Sequence, residues 1–87
     1  MAMRKAVSAA KIQQAVKGII KASGELDGDC AAIIPGSPHR VPDAERKRNN
    51  GANWKIDIFG GDRDTVKACM GVLERAVRTA QGELDLA

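Results

Sequence analysis

Trp54-Lys55-Ile56-Asp57-Ile58-Phe59-Gly60-Gly61 decides how this chain folds. Side chains alternate along a strand, so Trp54, Ile56 and Ile58 fall on one face and Lys55, Asp57 and Phe59 on the other, the pattern of a half-buried β-strand. Trp54, the sole tryptophan, is thereby assigned to the core, with Ile56 and Ile58 beside it under the helices. Gly60-Gly61 allows the sharp turn that follows.

Upstream, Cys30-Ala31-Ala32-Ile33-Ile34 reads as a second strand, ended by Pro35, which has no N–H for a ladder. Between the strands lie residues 35–53, with all three prolines, the only histidine, an Arg46-Lys47-Arg48 run and an Asn49-Asn50-Gly51 turn. Connections in compact domains are usually about 4 to 6 residues, so a loop this long marks a working surface.

Farther out, two helices flank the strands. Ala9, Ile12, Ala15, Val16, Ile19 and Ile20 recur at three- and four-residue steps, and Gln13, Gln14, Lys17 and Lys21 take the opposite side. Gly24, with Leu26 beyond it, suits a left-handed helix stop. Val66, Cys69, Val72, Leu73, Ala76, Val77 and Ala80 form the second apolar stripe, with Asp62 or Asp64 as N-cap and Gly82 as the stop. Ala22-Ser23-Gly24-Glu25-Leu26-Asp27 and Ala80-Gln81-Gly82-Glu83-Leu84-Asp85 are two similar solutions to one capping problem, not a duplicated unit.

The expected fold is α+β: two amphipathic helices on one face of a small antiparallel sheet, in the order α-β-β-α, as one domain over 1–87. Two strands make a marginal sheet. A third strand is therefore expected, either from residues 38–42, where the residue before Pro42 is pushed toward extended geometry, or from the sheet edge of a second chain in a homodimer.

The charge alternates along the chain: +5 over residues 1–24, −3 over 25–38, +3 over 39–55 and −2 over 56–87, with a net of +3. A dedicated nucleic-acid binder gathers its positive charge on one face, which this alternation does not suggest. Cys30 and Cys69 lie in apolar patterns with no Cys-x-x-Cys pair, so buried free thiols are expected in place of a disulfide, and the setting is read as cytoplasmic. No apolar run approaches the roughly 18 residues of a membrane span. The acid-free first 24 residues are read as a structural helix and not as a transit segment.

Within the loop, Pro35, Pro38 and Pro42 hold His39, Arg40 and Val41 on a stiff, extended path. Asp43-Ala44-Glu45-Arg46-Lys47-Arg48 then reads as one or two helical turns with Asp43 as N-cap, acids first and bases last, as the helix dipole favours. Much of the basic run thus has a structural explanation. The candidate contact residues, for a protein or a nucleic acid, are His39, Arg40, Arg46, Lys47 and Arg48.

The element order resembles that of double-stranded-RNA-binding domains, in topology alone. Those domains start their last helix with a lysine cluster, whereas Gly60-Gly61-Asp62-Arg63-Asp64 puts two carboxylates there. The segments Arg40-Val41-Pro42-Asp43-Ala44-Glu45-Arg46 and Gly51-Ala52-Asn53-Trp54 resemble Arg-Val-Pro-x-x-Glu-Arg and Gly-x-Asn-Trp segments of a set of short, uncharacterised proteobacterial proteins. That resemblance implies a bacterial cytoplasmic source and no activity, cofactor or site.

Catalysis needs a nucleophile, a base and an orienting group in one pocket. His39 is the sole imidazole, and its acidic neighbours Asp43 and Glu45 are helix-start residues. No enzyme, cofactor or metal is therefore expected. The sequence points to a protein-interaction module using the 35–53 loop, with weak nucleic-acid binding by that loop as the alternative.

Overall fold

The computed structural model describes residues 4–23 and 30–87. In chain order the elements are β1 (Lys5–Val7), α1 (Ala9–Ser23), a 3-10 turn (Cys30–Ala32), β2 (Ile34–Pro35), β3 (His39–Arg40), a 3-10 segment (Asp43–Asn49), β4 (Trp54–Lys55), β5 (Phe59–Gly60), α2 (Arg63–Ala68), α3 (Met70–Glu83) and β6 (Leu84–Leu86). The architecture is α+β. It carries a strand at each end that the α-β-β-α expectation lacks.

β2 pairs antiparallel with β5, and β3 with β4. In every pair, Ile34 with Gly60, Pro35 with Phe59, His39 with Lys55 and Arg40 with Trp54, the two residue numbers add to the same value. Backbone bonds from Gly36 N to Ile58 O, 2.7 Å, and from Val41 N to Asn53 O, 2.9 Å, keep that register. The short ladders are therefore one hairpin ribbon, interrupted where Pro38 has no N–H to give. The segment around Arg40 is the far half of the first strand and not a third one.

Two local expectations change here. Cys30–Ala32 is a 3-10 turn, so the first strand starts only at Ile34. The inward face also switches between Ile56 and Phe59: Trp54 and Ile56 are buried, Ile58 is 74% exposed, and Phe59 packs against the core. The ribbon changes face where its ladder is broken, which simple alternation from Trp54 cannot anticipate. A Cβ at Gly36 would lie 2.6 Å from the Ile58 carbonyl oxygen, so the close approach at this break requires glycine.

Helix α1 begins where Ser8 caps it, its Oγ accepting from Lys11 N at 3.3 Å. Ile12, Val16 and Ile20 form its buried stripe. The proposed stop at Gly24 and Leu26, and with it most of the first copy of the similar helix ends, lies outside the described residues. The second helix comes in two pieces, α2 and α3, joined at Cys69. Asp62 is the N-cap of α2, its carboxylate accepting from Thr65 N at 3.1 Å. Gly82 does not stop α3, which runs through it to Glu83 and passes directly into β6. The reason is tertiary, because β6 pairs in parallel with β1.

One core holds Ile12, Val16, Ile33, Trp54, Ile56 and Leu73 among its members. Cys30 and Cys69 lie in it as a disulfide with a Cα–Cα distance of 5.9 Å, which corrects the expectation of free thiols. Both cysteines occupy inward positions, and packing sets them opposite one another across 39 residues of chain. No helix among the described residues is long and apolar enough to cross a membrane.

Candidate functional site

The five candidate contact residues divide into fastened and outward ones. Arg46 is fastened: its Nη2 donates to Asp85 Oδ2 at 2.9 Å and its Nε to the Gly51 carbonyl at 3.0 Å, with Asp43 3.8 Å away. Asp85 also attracts Arg4, whose Nη1 is 3.7 Å from Oδ1, too far for a hydrogen bond. Oδ1 itself is buried without one. Arg4 donates in addition to the carbonyls of Gln81 and Asn50. Arg40 Nη2 donates to the Ala87 main-chain oxygen at 2.8 Å.

Those bonds belong to a wider latch that holds β6. Asn53 grips Leu86 twice, its Nδ2 donating to the Leu86 carbonyl at 3.0 Å and its Oδ1 accepting from Leu86 N at 2.7 Å. An amide side chain here does what a neighbouring strand would do. Trp54 Nε1 donates to the Leu84 carbonyl at 2.9 Å, while Val41 and Ala52 are buried. Asn50 and Gly51 turn the chain at positive φ, and a Cβ on Gly51 would collide with the Arg4 guanidinium. Residues of both the Arg-Val-Pro-x-x-Glu-Arg and the Gly-x-Asn-Trp segments thus dock the loop onto the C-terminal strand.

The outward residues are His39, Lys47 and Arg48. His39 Nε2 lies 2.7 Å from Asp57 Oδ2, and Lys55 Nζ lies 3.8 Å from the same oxygen. The pair is about half exposed on both sides, so its net stabilising effect is small. Lys47 and Arg48 have no side-chain partner among the described residues. They close the 3-10 segment, whose first turn carries Asp43 and Glu45. The cap position belongs to Pro42 and not to Asp43, because extended Pro42 leads into the segment and its carbonyl accepts from Glu45 N at 2.8 Å.

Beside Arg48 a cleft of about 360 Å³ opens between the ribbon and α3. Ile56, Phe59, Met70 and Val77 supply its apolar part. Arg48, Lys55 and Arg78 bring positive charge to it, and Asp57 and Glu74 negative. Sequence reasoning missed the α3 side of this cleft. Val77 belongs to the core stripe, and Met70, Glu74, Arg78 and Gln81 follow its edge at three- and four-residue steps, but periodicity does not say that a stripe's edge borders a hollow.

Gln81, buried on α3, donates to the Trp54 carbonyl at 2.9 Å and ties the helix to the ribbon. Among the described residues no three His, Cys, Asp or Glu side chains are grouped to hold a metal ion. No protein-family model matches the chain, and no curated protein or solved structure is significantly similar to it.

Proposed function

We infer that this chain is a non-enzymatic protein-interaction module that presents the outward side of the 35–53 loop. The observation that carries this reading is the division of the basic residues. Arg40 and Arg46 hold the loop against β6 and act as positioning residues, while Lys47 and Arg48 extend from a backbone fixed by those contacts. A surface ordered in advance binds without the entropic cost of arranging itself. The contact residues are therefore Lys47 and Arg48, with His39 and Lys55 beside them.

The test is capture of binding partners by the immobilised chain and by its Lys47→Ser/Arg48→Ser variant, with matched melting curves. Specific partners should be lost from the variant. If the same partners are retained at equal strength, the loop assignment is wrong. Changing Arg46 as well would confuse the result by loosening the fold.

A second reading, self-association, rests on Ile34 and Ile58. They are 60% and 74% exposed and lie diagonally on the same face of the ribbon, opposite glycines. Sedimentation at two concentrations should show a dimer that Ile58→Lys abolishes; a monomer throughout removes this reading. The disulfide bears on location, since such bridges persist in oxidising compartments. It argues for that setting against the cytoplasmic one suggested by the sequence.

A further inference from the structure

The geometry points to the cleft between the ribbon and α3 as a docking site for an acidic peptide segment carrying a large apolar side chain. This rests on the interaction-module reading and names the partner's chemistry. The floor is apolar, and Met70 within it remains 38% exposed on an adaptable thioether side chain. Two guanidinium groups border this floor, Arg48 from the loop and Arg78 from α3, and neither has a partner among the described residues.

The two acids in the wall do not cancel them equally. Asp57 is already met by His39 and Lys55. Glu74 lies one helical turn before Arg78 and offsets part of its charge. What is left is a positive border around a greasy floor. A Leu, Phe or Met side chain can fill the floor while flanking Asp or Glu carboxylates take the planar forks of the arginines, an arrangement that favours Arg over Lys.

The walls are tied together. Asn50 Nδ2 donates to the Arg78 carbonyl at 2.8 Å, and Gln81 Nε2 reaches Asn49 Oδ1 at 3.5 Å, so the loop that carries Arg48 is fastened to the helix that carries Arg78. Nucleic acid fits less well. The only ring in the wall is the partly buried Phe59, which leaves no broad aromatic surface for stacking bases.

Selection of a random displayed-peptide library on the intact, oxidised protein tests this. Enriched peptides should combine Asp or Glu with a large apolar residue. A labelled synthetic copy, followed by fluorescence anisotropy, should lose about tenfold in affinity with Arg48→Ser or Arg78→Ser. The control Lys17→Ser, on α1, should bind as the parent does. Melting curves of all variants establish that they remain folded.

Enriched peptides without acids, or unchanged affinity in the Arg48→Ser/Arg78→Ser double variant, overturn the inference. If binding is lost only on changing Lys47 or His39, the cleft is wrong and the interaction module stands. If no peptide is enriched, the inference falls, and the partner capture with the Lys47→Ser/Arg48→Ser variant decides the interaction module separately. An arginine-dependent complex with a labelled single-stranded oligonucleotide, without peptide enrichment, replaces the peptide by nucleic acid.

Discussion

Arg46 and Lys47 are neighbours with the same charge and opposite tasks. Arg46 makes a short bond to Asp85, while Lys47 faces solvent. Hydrogen bonds to charged groups contribute about 1.5–3 kcal/mol, and Arg46→Ser leaves Asp85 short of its closest partner. Arg46→Ser should therefore destabilise by about 2 kcal/mol in urea unfolding, and Lys47→Ser by no more than about 0.5 kcal/mol. Equal effects would refute the latch.

Trp54 has two separable roles, volume and an N–H. Trp54→Ala should cost about 3–5 kcal/mol through the cavity it leaves. Trp54→Phe keeps most of the apolar area but orphans the Leu84 carbonyl, so a loss of about 1–3 kcal/mol is expected. The parent should show blue-shifted tryptophan emission. A water-like maximum contradicts the burial of this ring.

Among the elements, the junction of α2 and α3 matters most, because Cys69 stands there and holds the turn at Cys30. Closing a loop of this length removes about 4 kcal/mol of unfolded-chain entropy in the simplest model. Removing the bridge with Cys30→Ser/Cys69→Ser should lower the melting temperature strongly, and reductant should do the same to the parent alone. A reductant-insensitive parent would show that the bridge does not form. Both cysteine positions were legible as apolar, but their pairing was not, because a spacing of 39 residues carries no geometric signal.

For the molecule as a whole, the loop belongs to the fold. A purely peripheral loop would tolerate shortening, yet this one buries Ala52, ties Arg46 to Asp85 of β6 and holds the Arg78 carbonyl through Asn50. Replacing residues 42–52 by an Asn-Gly turn should preserve the local ribbon, lower the melting temperature and speed hydrogen exchange at the amides of 84–86. Unchanged melting and exchange would return the loop to the periphery.

Sequence alone determined what depends on local periodicity and turn chemistry: the stripes of α1 and α3, Asp62 among the possible caps, the antiparallel sense of the strand pair though not its extent, the Asn50-Gly51 turn and the burial of Trp54. Only the tertiary structure decided the rest: the face change that exposes Ile58, the terminal β1–β6 pair, the bridge of Cys30 to Cys69, and which bases of the loop are fastened and which face outward. The physical reason is range. A helical stripe or a positive-φ turn is set by residues a few positions apart, whereas Arg46 meets Asp85 and Arg48 comes to share a cleft with Arg78 only after packing has brought distant segments together.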